Sequence, residues 1–342
     1  MSLELLQNLW YLVLCGAVVF YTVLDGFDMG VGALYLFPKS DNDRRIFLNA
    51  IGPVWDGNEV WLVIVGGGLF AGFPAVYASV FSGFYNLLML FLAGIIFRAV
   101  AIEFRSKHVS KRWRAMWDYL FSYSSIVIAF GLGVVLGNLI LGVPLDSNGD
   151  FIQEFGYILR PYALLVGVFA VALFTMHGGI YLLMKTEDDL HERIRSWMRY
   201  IIPLFFVMYL AVSIMTWIQV PSMVQPMFDR PYFFAVPTLT LLLLANTARQ
   251  VYKRNDGWAF LSSSGAIATL FALYGVGNYP VIVRSTVDPV NNSLTIYNAS
   301  ASIPTLKVIM IVVLIGLPLV FAYGIWVYKV FRGKVKLDSH SY

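Results

Sequence analysis

The stretch Val23–Gly30 reads VLDGFDMG, and it places Asp25 and Asp28 inside the first long apolar run of the chain. The two carboxylates are three positions apart, so they share one face of a helix. A carboxylate at the centre of a bilayer costs roughly 2.5–3.5 kcal/mol on insertion scales. Packing alone does not explain such a pair, which suggests a path for protons or cations, or a buried charge network.

A second acidic pair opens the next apolar run. The stretch Gly52–Trp61 reads GPVWDGNEVW and contains Asp56 and Glu59. Because a short connection joins the first two runs, we expect the two acidic pairs to face each other. Asp56 has an alternative role as a helix cap, since aspartate is favoured at helix N-termini.

Arg98 ends the third apolar run, in the sequence IIFR, at a depth similar to that of the acidic pairs. We predict that Arg98 is their counter-charge, neutralising one carboxylate and leaving the others free to exchange protons. A purely structural salt bridge between Arg98 and Asp25 or Asp28 is the alternative. Aspartate and glutamate side chains can accept and release protons, which suits a relay.

The composition identifies an integral membrane protein. Hydrophobic residues make up 59% of the 342 residues and charged residues only 13%, and the mean hydropathy is +0.72. Nine apolar runs are long enough to cross about 30 Å of hydrocarbon at about 1.5 Å per residue. These spans are predicted near residues 6–36, 51–72, 77–102, 118–141, 158–184, 200–219, 232–250, 258–279 and 305–329.

Lysine and arginine are distributed unevenly between the predicted loops. Of the 24 basic residues, 20 lie at Arg98, in the segments 37–50, 101–117, 185–199 and 249–257, or in the tail from 329. The remaining four are Arg160, Arg230, Arg284 and Lys307. The positive-inside rule therefore puts the N-terminus outside and the C-terminus in the cytoplasm. The net charge of +4 reflects this bias and gives no case for nucleic-acid binding.

The predicted fold is an all-α integral membrane protein, with a single membrane domain over 1–342. A weak parallel repeat suggests two four-helix bundles, made of helices 1–4 and helices 5–8, and a peripheral ninth helix. The predicted boundaries are 1–141 for the first bundle, 158–279 for the second, 280–304 for an outer loop and 305–329 for the ninth helix. Gly26 and Gly30, four positions apart, favour close packing of the first helix.

The supply of histidine and cysteine limits the cofactors that this chain can bind. Of four histidines, only His177 is predicted at membrane depth. A bis-histidine haem needs two such ligands, so a hydrogen-bonded interhelical histidine is the favoured interpretation. Cys15 is the only cysteine, which excludes an internal disulfide and a cysteine-based metal cluster. We therefore predict no metal site and no catalytic residue in this chain.

Several sequence blocks resemble subunit II of cytochrome bd-type terminal oxidases, over nearly the whole chain. The blocks are DGFDMGVG at 25–32, WDGNEVWL at 55–62, FSGFY at 81–85, FR at 97–98 and RWRAMWD at 112–118. The resemblance implies a heterodimer with subunit I, which carries two b-type haems, one haem d and the quinol site. It further implies a complex in the cytoplasmic membrane of a bacterium or archaeon. That complex oxidises membrane quinol and reduces dioxygen to water, with protons taken from the cytoplasm.

The same resemblance implies roles for single residues. Asp25, Asp28 and Asp56 correspond to acidic positions linked with proton delivery, and Trp61 corresponds to a region linked with oxygen access from the bilayer. Glu59 stands where members of the family can have a neutral amide, and we expect it to extend the proton route. A bound quinone or lipid and a small accessory subunit stay open.

Two other interpretations stay open at this point. In the first, the chain is a stand-alone secondary transporter whose acidic pairs bind H⁺ or Na⁺. In the second, it is a purely structural scaffold for a redox partner. Co-purification with a haem-bearing partner separates the oxidase subunit from the transporter, and the effect of carboxylate substitutions on oxygen consumption separates it from the scaffold.

Overall fold

Helices dominate the computed structural model, which describes residues 2–152 and 156–337. This is expected in hydrocarbon, where every backbone N–H and C=O must be hydrogen-bonded within its own segment. The helices are α1 (Leu3–Leu34), α2 (Asp41–Ile51), α3 (Trp55–Gly72), α4 (Pro74–Gly83), α5 (Tyr85–Phe104), α6 (Lys111–Leu141), α7 (Pro161–Lys185), α8 (Asp188–Gln219), α9 (Gln225–Asp229), α10 (Ala235–Tyr252), α11 (Asp256–Asn278) and α12 (Ile303–Val330). His340, which the sequence places in the tail, lies outside the described residues.

Eight helices in the described part of the chain are long and apolar enough to cross a membrane, namely α1, α5, α6, α7, α8, α10, α11 and α12. They confirm a helical, multi-pass membrane protein, whereas the prediction of nine spans is supported only in part. The second predicted span falls on α3, whose first two turns carry Asp56, Asn58 and Glu59, and α3 is not among the eight. The two four-helix bundles and the orientation of the termini stay predictions.

The third predicted span, 77–102, crosses a break between α4 and α5. The break lies at Phe84, whose φ of −100° and ψ of 19° depart from helical values. Next to it, a Cβ on Gly83 would lie 2.1 Å from the ring of Phe151. Glycine therefore lets Phe151 approach the chain closely where the helix is interrupted, a contact that apolar periodicity does not reveal.

The centre of the fold is the crossing of α1 and α7. A Cβ on Gly30 would lie 1.8 Å from the carbonyl oxygen of Phe174, and a Cβ on Gly178 would lie 2.5 Å from the carbonyl carbon of Gly30. The two backbones are therefore in direct contact, which confirms the predicted close packing of the first helix. Phe27, fully buried on the same turn of α1, stacks on Tyr181 of α7 with ring centroids 3.9 Å apart.

The predicted outer loop forms a cap on the end of the bundle where α1 begins. It contains β1 (Val281–Val283) and β2 (Leu294–Thr295), which pair antiparallel with Val281 opposite Thr295. Gln7 Nε2 donates to Ser300 Oγ at 2.7 Å, and Ala301 N–H donates to the Gly72 carbonyl at 2.9 Å. The cap thus ties the start of α1 to the end of α3.

Candidate functional site

The first acidic pair is buried within α1. Asp25 and Asp28 are each 1% exposed, so neither carboxylate is reached by bulk solvent. Their spacing places both on the side of α1 that meets α3. An ionised carboxylate removed from water needs a cation or hydrogen-bond donors. The neighbours of each residue therefore determine whether its carboxylate is paired or free to exchange a proton.

Arg98 of α5 reaches across to two of the carboxylates. Its Nη2 lies 2.5 Å from Asp25 Oδ1 and 2.5 Å from Glu59 Oε1. Arg98 and Asp25 are each 1% exposed, whereas the Glu59 side chain is 18% exposed. One guanidinium therefore connects α1, α3 and α5. We call Asp25, Asp28, Glu59 and Arg98 the acidic cluster; it holds three carboxylates against one cation.

Asp28 is held by an amide instead of a cation. Asn58 Nδ2 donates to Asp28 Oδ2 at 2.7 Å, and Asn58 Oδ1 accepts a hydrogen bond of 2.7 Å from the Tyr328 hydroxyl. Asn58 is 1% exposed, and Tyr328 belongs to α12. The sequence reasoning missed both residues. Asn58 lies between the two acids of the WDGNEVW block, which was the available signal, whereas nothing in the sequence distinguishes Tyr328.

Asp56 does not join the acidic cluster. Its side chain is exposed in the first turn of α3, and the residue before that helix, Val54, makes no side-chain cap. Asp56 makes no ion pair with another described residue. A carboxylate in the first turn still interacts favourably with the helix dipole. The structure thus brings together Asp25, Asp28, Glu59 and Arg98, and leaves Asp56 at the surface of the chain.

Trp61 lies two residues after Glu59 on α3. It is 4% exposed and stacks on Phe20 of α1, with ring centroids 4.5 Å apart, and it also contacts Phe321 of α12 at 5.2 Å. A cavity of about 280 Å³ between α1, α3 and α12 is lined by Trp61, Asn58 and Tyr328. The rest of the lining is mostly apolar, and Asn58, which donates to Asp28, connects the cavity to the acidic cluster.

A second charge network lies just beyond the C-terminal end of α1, at Tyr35, where the basic segments meet. Asp118 is 2% exposed, and its carboxylate accepts from Arg105 at 2.5 Å, Arg44 at 2.7 Å and the Tyr35 hydroxyl at 2.9 Å. We call these residues, together with Asp41 and Arg114, the basic-end network. The sequence identified Asp118 only as the last residue of the RWRAMWD block and did not predict that it is buried and paired with arginines.

Asp41, at the start of α2, belongs to this network through two arginines. Its carboxylate lies 2.7 Å from Arg105 and 2.9 Å from Arg114. Partial burial alone would raise the pKa of Asp41, but the hydrogen bond and charge of Arg105, together with the charge of Arg114, lower that pKa below its ordinary value of 3.8. Asp41 is therefore a carboxylate that stays ionised and braces α2 against α6.

His177 is positioned as an interhelical hydrogen-bonding residue. It is fully buried in α7, with Nδ1 2.8 Å from the Ser263 hydroxyl and Nε2 3.0 Å from the Val23 carbonyl oxygen. Both ring nitrogens are thus engaged, so the side chain does not offer an axial lone pair to a haem. Among the described residues, no group of three or more His, Cys, Asp or Glu is arranged to hold a metal ion.

Comparisons with known proteins agree along the whole chain. The family model described as "Cytochrome bd terminal oxidase subunit II" matches residues 6–331. "Cytochrome bd-I ubiquinol oxidase subunit 2" of Escherichia coli strain K12 is 33% identical, over 99% of this chain and 98% of that protein. "Cytochrome bd ubiquinol oxidase subunit 2" of Bacillus subtilis strain 168 is 32% identical, over 96% and 97%. In fold, the chain is similar to a chain of the bd oxidase from Geobacillus thermodenitrificans, with a TM-score of 0.79 and 18% identity, over 95% and 98% of the two chains.

Proposed function

This chain belongs to the subunit II family of cytochrome bd terminal oxidases, and from this premise we propose that its acidic cluster conducts protons toward a haem-bearing partner subunit. Each member of this family is one subunit of a quinol-oxidising oxidoreductase complex. The observation that carries the proposal is the imbalance of charge in the cluster. Arg98 pairs with Asp25 and Glu59, whereas Asp28 is paired with no cation among the residues that the structure describes. Membership of this family does not favour a stand-alone transporter.

The hydrogen bonds of the cluster support a route that water completes. Eleven buried side-chain atoms of the described residues have no hydrogen-bond partner among those residues. Five of the eleven belong to the acidic cluster or to the turn of α1 next to it, namely Tyr21 Oη, Asp25 Oδ2, Asp28 Oδ1, Arg98 Nε and Arg98 Nη1. Buried polar groups of native proteins are normally satisfied, often by internal water. We propose that water bridges these atoms and carries protons between the two aspartates.

Each residue then has a defined task. Glu59, partly exposed, and Asp56, at the surface of α3, collect protons from the cytoplasmic side. Asp25 and Asp28 pass them along α1. Arg98 keeps Asp25 and Glu59 close together, and Asn58 holds Asp28 by one oxygen, so that the other oxygen is available for exchange. A neutral amide suits this positioning role because it donates a hydrogen bond without adding charge.

The redox chemistry belongs to the partner in this proposal. The two b-type haems and haem d of the complex would supply dioxygen reduction, and we assign them to subunit I. His177, the histidine of this chain predicted at membrane depth, has both ring nitrogens hydrogen-bonded within the chain, which supports this assignment. Quinol oxidation likewise takes place in subunit I. The cavity beside Trp61 supports a further role for this chain in admitting oxygen from the bilayer. We place the heterodimer in the cytoplasmic membrane of a bacterium or archaeon, with the basic-end network on the cytoplasmic side.

The test is Asp28→Asn in the purified complex. Asparagine keeps the shape of the side chain but cannot take up a proton, so we expect quinol-driven oxygen consumption to fall roughly 10²-fold, the lower end of what a positioned proton-transfer group contributes. The visible haem spectrum should not change. Asp288→Asn, in the loop between β1 and β2, is the matched control and should leave turnover unchanged.

Three results would contradict parts of this proposal. Unchanged turnover of Asp28→Asn would reject proton conduction and favour the structural scaffold. Loss of the haem spectrum in the same variant would assign Asp28 to assembly. A chain that purifies folded but without any haem-bearing partner would reject the assignment of the redox chemistry to subunit I.

A further inference from the structure

The Asn58 amide, which holds Asp28, is itself held from two sides. Its Nδ2 donates to Asp28 Oδ2 at 2.7 Å and to the Leu24 carbonyl oxygen at 3.3 Å, both on α1. Its Oδ1 accepts from the Tyr328 hydroxyl of α12 at 2.7 Å. Because the Leu24 contact is the longest of the three, Tyr328 provides the main contact that orients the amide independently of Asp28.

The orientation of this amide decides what Asp28 meets. With Nδ2 toward Asp28, the amide offers a hydrogen-bond donor to the carboxylate. Rotated by half a turn, the amide would place Oδ1 against an ionised carboxylate, and two acceptors cannot hydrogen-bond to each other. Because Asn58 is 1% exposed, bulk water does not compensate for the wrong orientation. A hydroxyl that donates to Oδ1 therefore favours the one orientation in which Asp28 is bound.

Tyr328 is carried by a helix at the periphery of the fold. The buried residues of α12 are Leu306 and Met310 near its start and Val327 beside Tyr328. Between them, none of the described residues 311–326 is buried. The position of the Tyr328 hydroxyl therefore depends on how the C-terminal end of α12 is attached.

A reciprocal set of hydrogen bonds attaches that end to α7. The last carbonyls of a helix have no partner within the helix. Lys185 Nζ, at the end of α7, donates to the Phe331 carbonyl just after α12, at 2.6 Å. In return, Lys334 Nζ donates to the Leu183 carbonyl at 3.0 Å, and the Val335 N–H donates to the Lys185 carbonyl at 2.8 Å. The chain after α12 and the end of α7 thus cap each other, close to the turn that carries the tyrosine.

We propose that Tyr328 is a positioning residue of the acidic cluster, which acts through Asn58 to keep a hydrogen-bond donor facing Asp28. Tyr328 orients the amide, the amide binds Asp28 Oδ2, and Asp28 Oδ1 keeps no partner among the described residues. A peripheral helix thereby sets the geometry at a buried carboxylate of α1. The expected effect on turnover rests on the proposed proton route, whereas the contact itself does not.

Tyr328→Phe in the purified complex tests this proposal, since it removes the hydroxyl and keeps the ring. We expect kcat of quinol-driven oxygen consumption to fall roughly three- to tenfold, the factor that corresponds to one typical hydrogen bond. KM for quinol should not change. Tyr323→Phe is the matched control on the same helix, because Tyr323 is 53% exposed and its hydroxyl makes no hydrogen bond with a described residue. It should leave turnover unchanged.

A double-mutant cycle with Asn58→Leu separates positioning from a general structural role. Leucine at position 58 has no amide for Tyr328 to orient, so adding Tyr328→Phe to Asn58→Leu should slow turnover no further. If Tyr328 only stabilised the packing of α12, loss of its hydroxyl would slow both backgrounds by the same factor.

Redox-induced infrared difference spectra of the complex give a readout that does not depend on turnover. The carboxyl band of Asp28 is the band that Asp28→Asn lacks. Tyr328→Phe should shift this band, because the amide that faces the carboxyl is no longer held in one orientation, and Tyr323→Phe should leave it in place. Since the measurement needs only the Tyr328→Phe complex and its controls, the test remains decisive even if Asn58→Leu fails to assemble.

The proposal is overturned if Tyr328→Phe leaves the Asp28 band in place, or if it slows the Asn58→Leu complex as much as the unmodified complex. It is also overturned if Tyr328→Phe leaves kcat unchanged in a complex that Asp28→Asn slows. Unchanged turnover of Asp28→Asn, together with a shifted band in Tyr328→Phe, would instead reject proton conduction and retain the positioning contact.

Discussion

At the scale of single residues, Arg98 donates through the same nitrogen to Asp25 and Glu59, which belong to different helices. The arrangement is demanding, because two charges removed from water recover their desolvation cost only with good geometry and further hydrogen bonds. Asn58 supplies one such bond to Asp28 without adding charge. The amide and the guanidinium together determine which carboxylate oxygens remain available to water.

We predict that Arg98→Gln destabilises the complex by about 3–5 kcal/mol, the range observed when one partner of a buried pair is removed. Asp25 is left without its cation in that variant. Adding Asp25→Asn should restore most of the lost stability, because the buried charge disappears with its partner. The thermal unfolding midpoint of the purified complex measures both effects.

The matched control is Arg254→Gln, which breaks an exposed pair with Glu192. Exposed pairs contribute little to stability, so this variant should unfold at the same temperature as the unmodified complex. If the two arginine substitutions lowered the unfolding midpoint equally, the burial of Arg98 would not explain its contribution to stability. Failure of Asp25→Asn to restore stability would show that Arg98 acts through some other contact.

At the scale of helices, the close contact between the α1 and α7 backbones leaves no room for a larger residue. We predict that Gly30→Ala separates the two helices, because the new Cβ would lie 1.8 Å from the Phe174 carbonyl oxygen. Overpacking of a tight core costs about 1–3 kcal/mol. A lower thermal unfolding midpoint and a lower yield of assembled complex should result.

Gly16→Ala is the control on the same helix, since a Cβ there meets nothing within 4 Å. It should be neutral or slightly stabilising, because alanine favours a helix by about 0.5–1 kcal/mol relative to glycine. Equal loss of stability in the two variants would attribute the effect to helix propensity instead of the crossing with α7.

The positions of the helices were easier to predict from the sequence than the contacts between them. Apolar runs decide where a chain can cross a bilayer, so spans such as α1, α6 and α7 follow from composition alone. The proximity of Asp25 and Glu59 to Arg98 was also predictable, because charged residues in apolar runs are conspicuous, whereas the exposure of Asp56 was not. Tyr328 could not be predicted, since one tyrosine among 20 has no distinguishing neighbour until α12 packs beside α3. The contact between Gly83 and Phe151 could not be predicted for the same reason, since it forms only when segments far apart in sequence pack together.

At the scale of the whole molecule, ion pairs brace the basic ends of the helices against one another. Besides the basic-end network, Arg193 of α8 pairs with Asp43 of α2 at 2.8 Å, and Arg195 pairs with Asp256 of α11 at 2.8 Å. These contacts join segments that are far apart in sequence. They also show that the basic segments meet at one end of the bundle.

The lowered pKa of Asp41 predicts how this bracing depends on pH. A carboxylate whose pKa is lower in the folded state stabilises the fold above its ordinary pKa, and the contribution is lost as the pH falls through the folded value. We therefore expect the thermal unfolding midpoint to fall on acidification below pH 3.8, and to fall less in Asp41→Asn. The effect should be small, because the Asp41 side chain is 47% exposed.

Asp189→Asn is the control for this titration, because Asp189 is exposed and makes no ion pair among the described residues. It should follow the pH dependence of the unmodified complex. If Asp41→Asn shows the same acid sensitivity as that control, the two arginines beside Asp41 do not stabilise its ionised form.

The pairing of Asp25 with Arg98 has a consequence for biosynthesis. The two residues are 73 positions apart, so the ribosome completes α1 well before it makes the counter-charge. At roughly 5–20 residues per second, the delay is about 4–15 s. During that interval two carboxylates must wait at the insertion machinery or enter the bilayer uncompensated. Nascent α1 is therefore expected to stay beside the insertase until α5 emerges. The two helices then enter the bilayer together, with Asp25 already paired with Arg98.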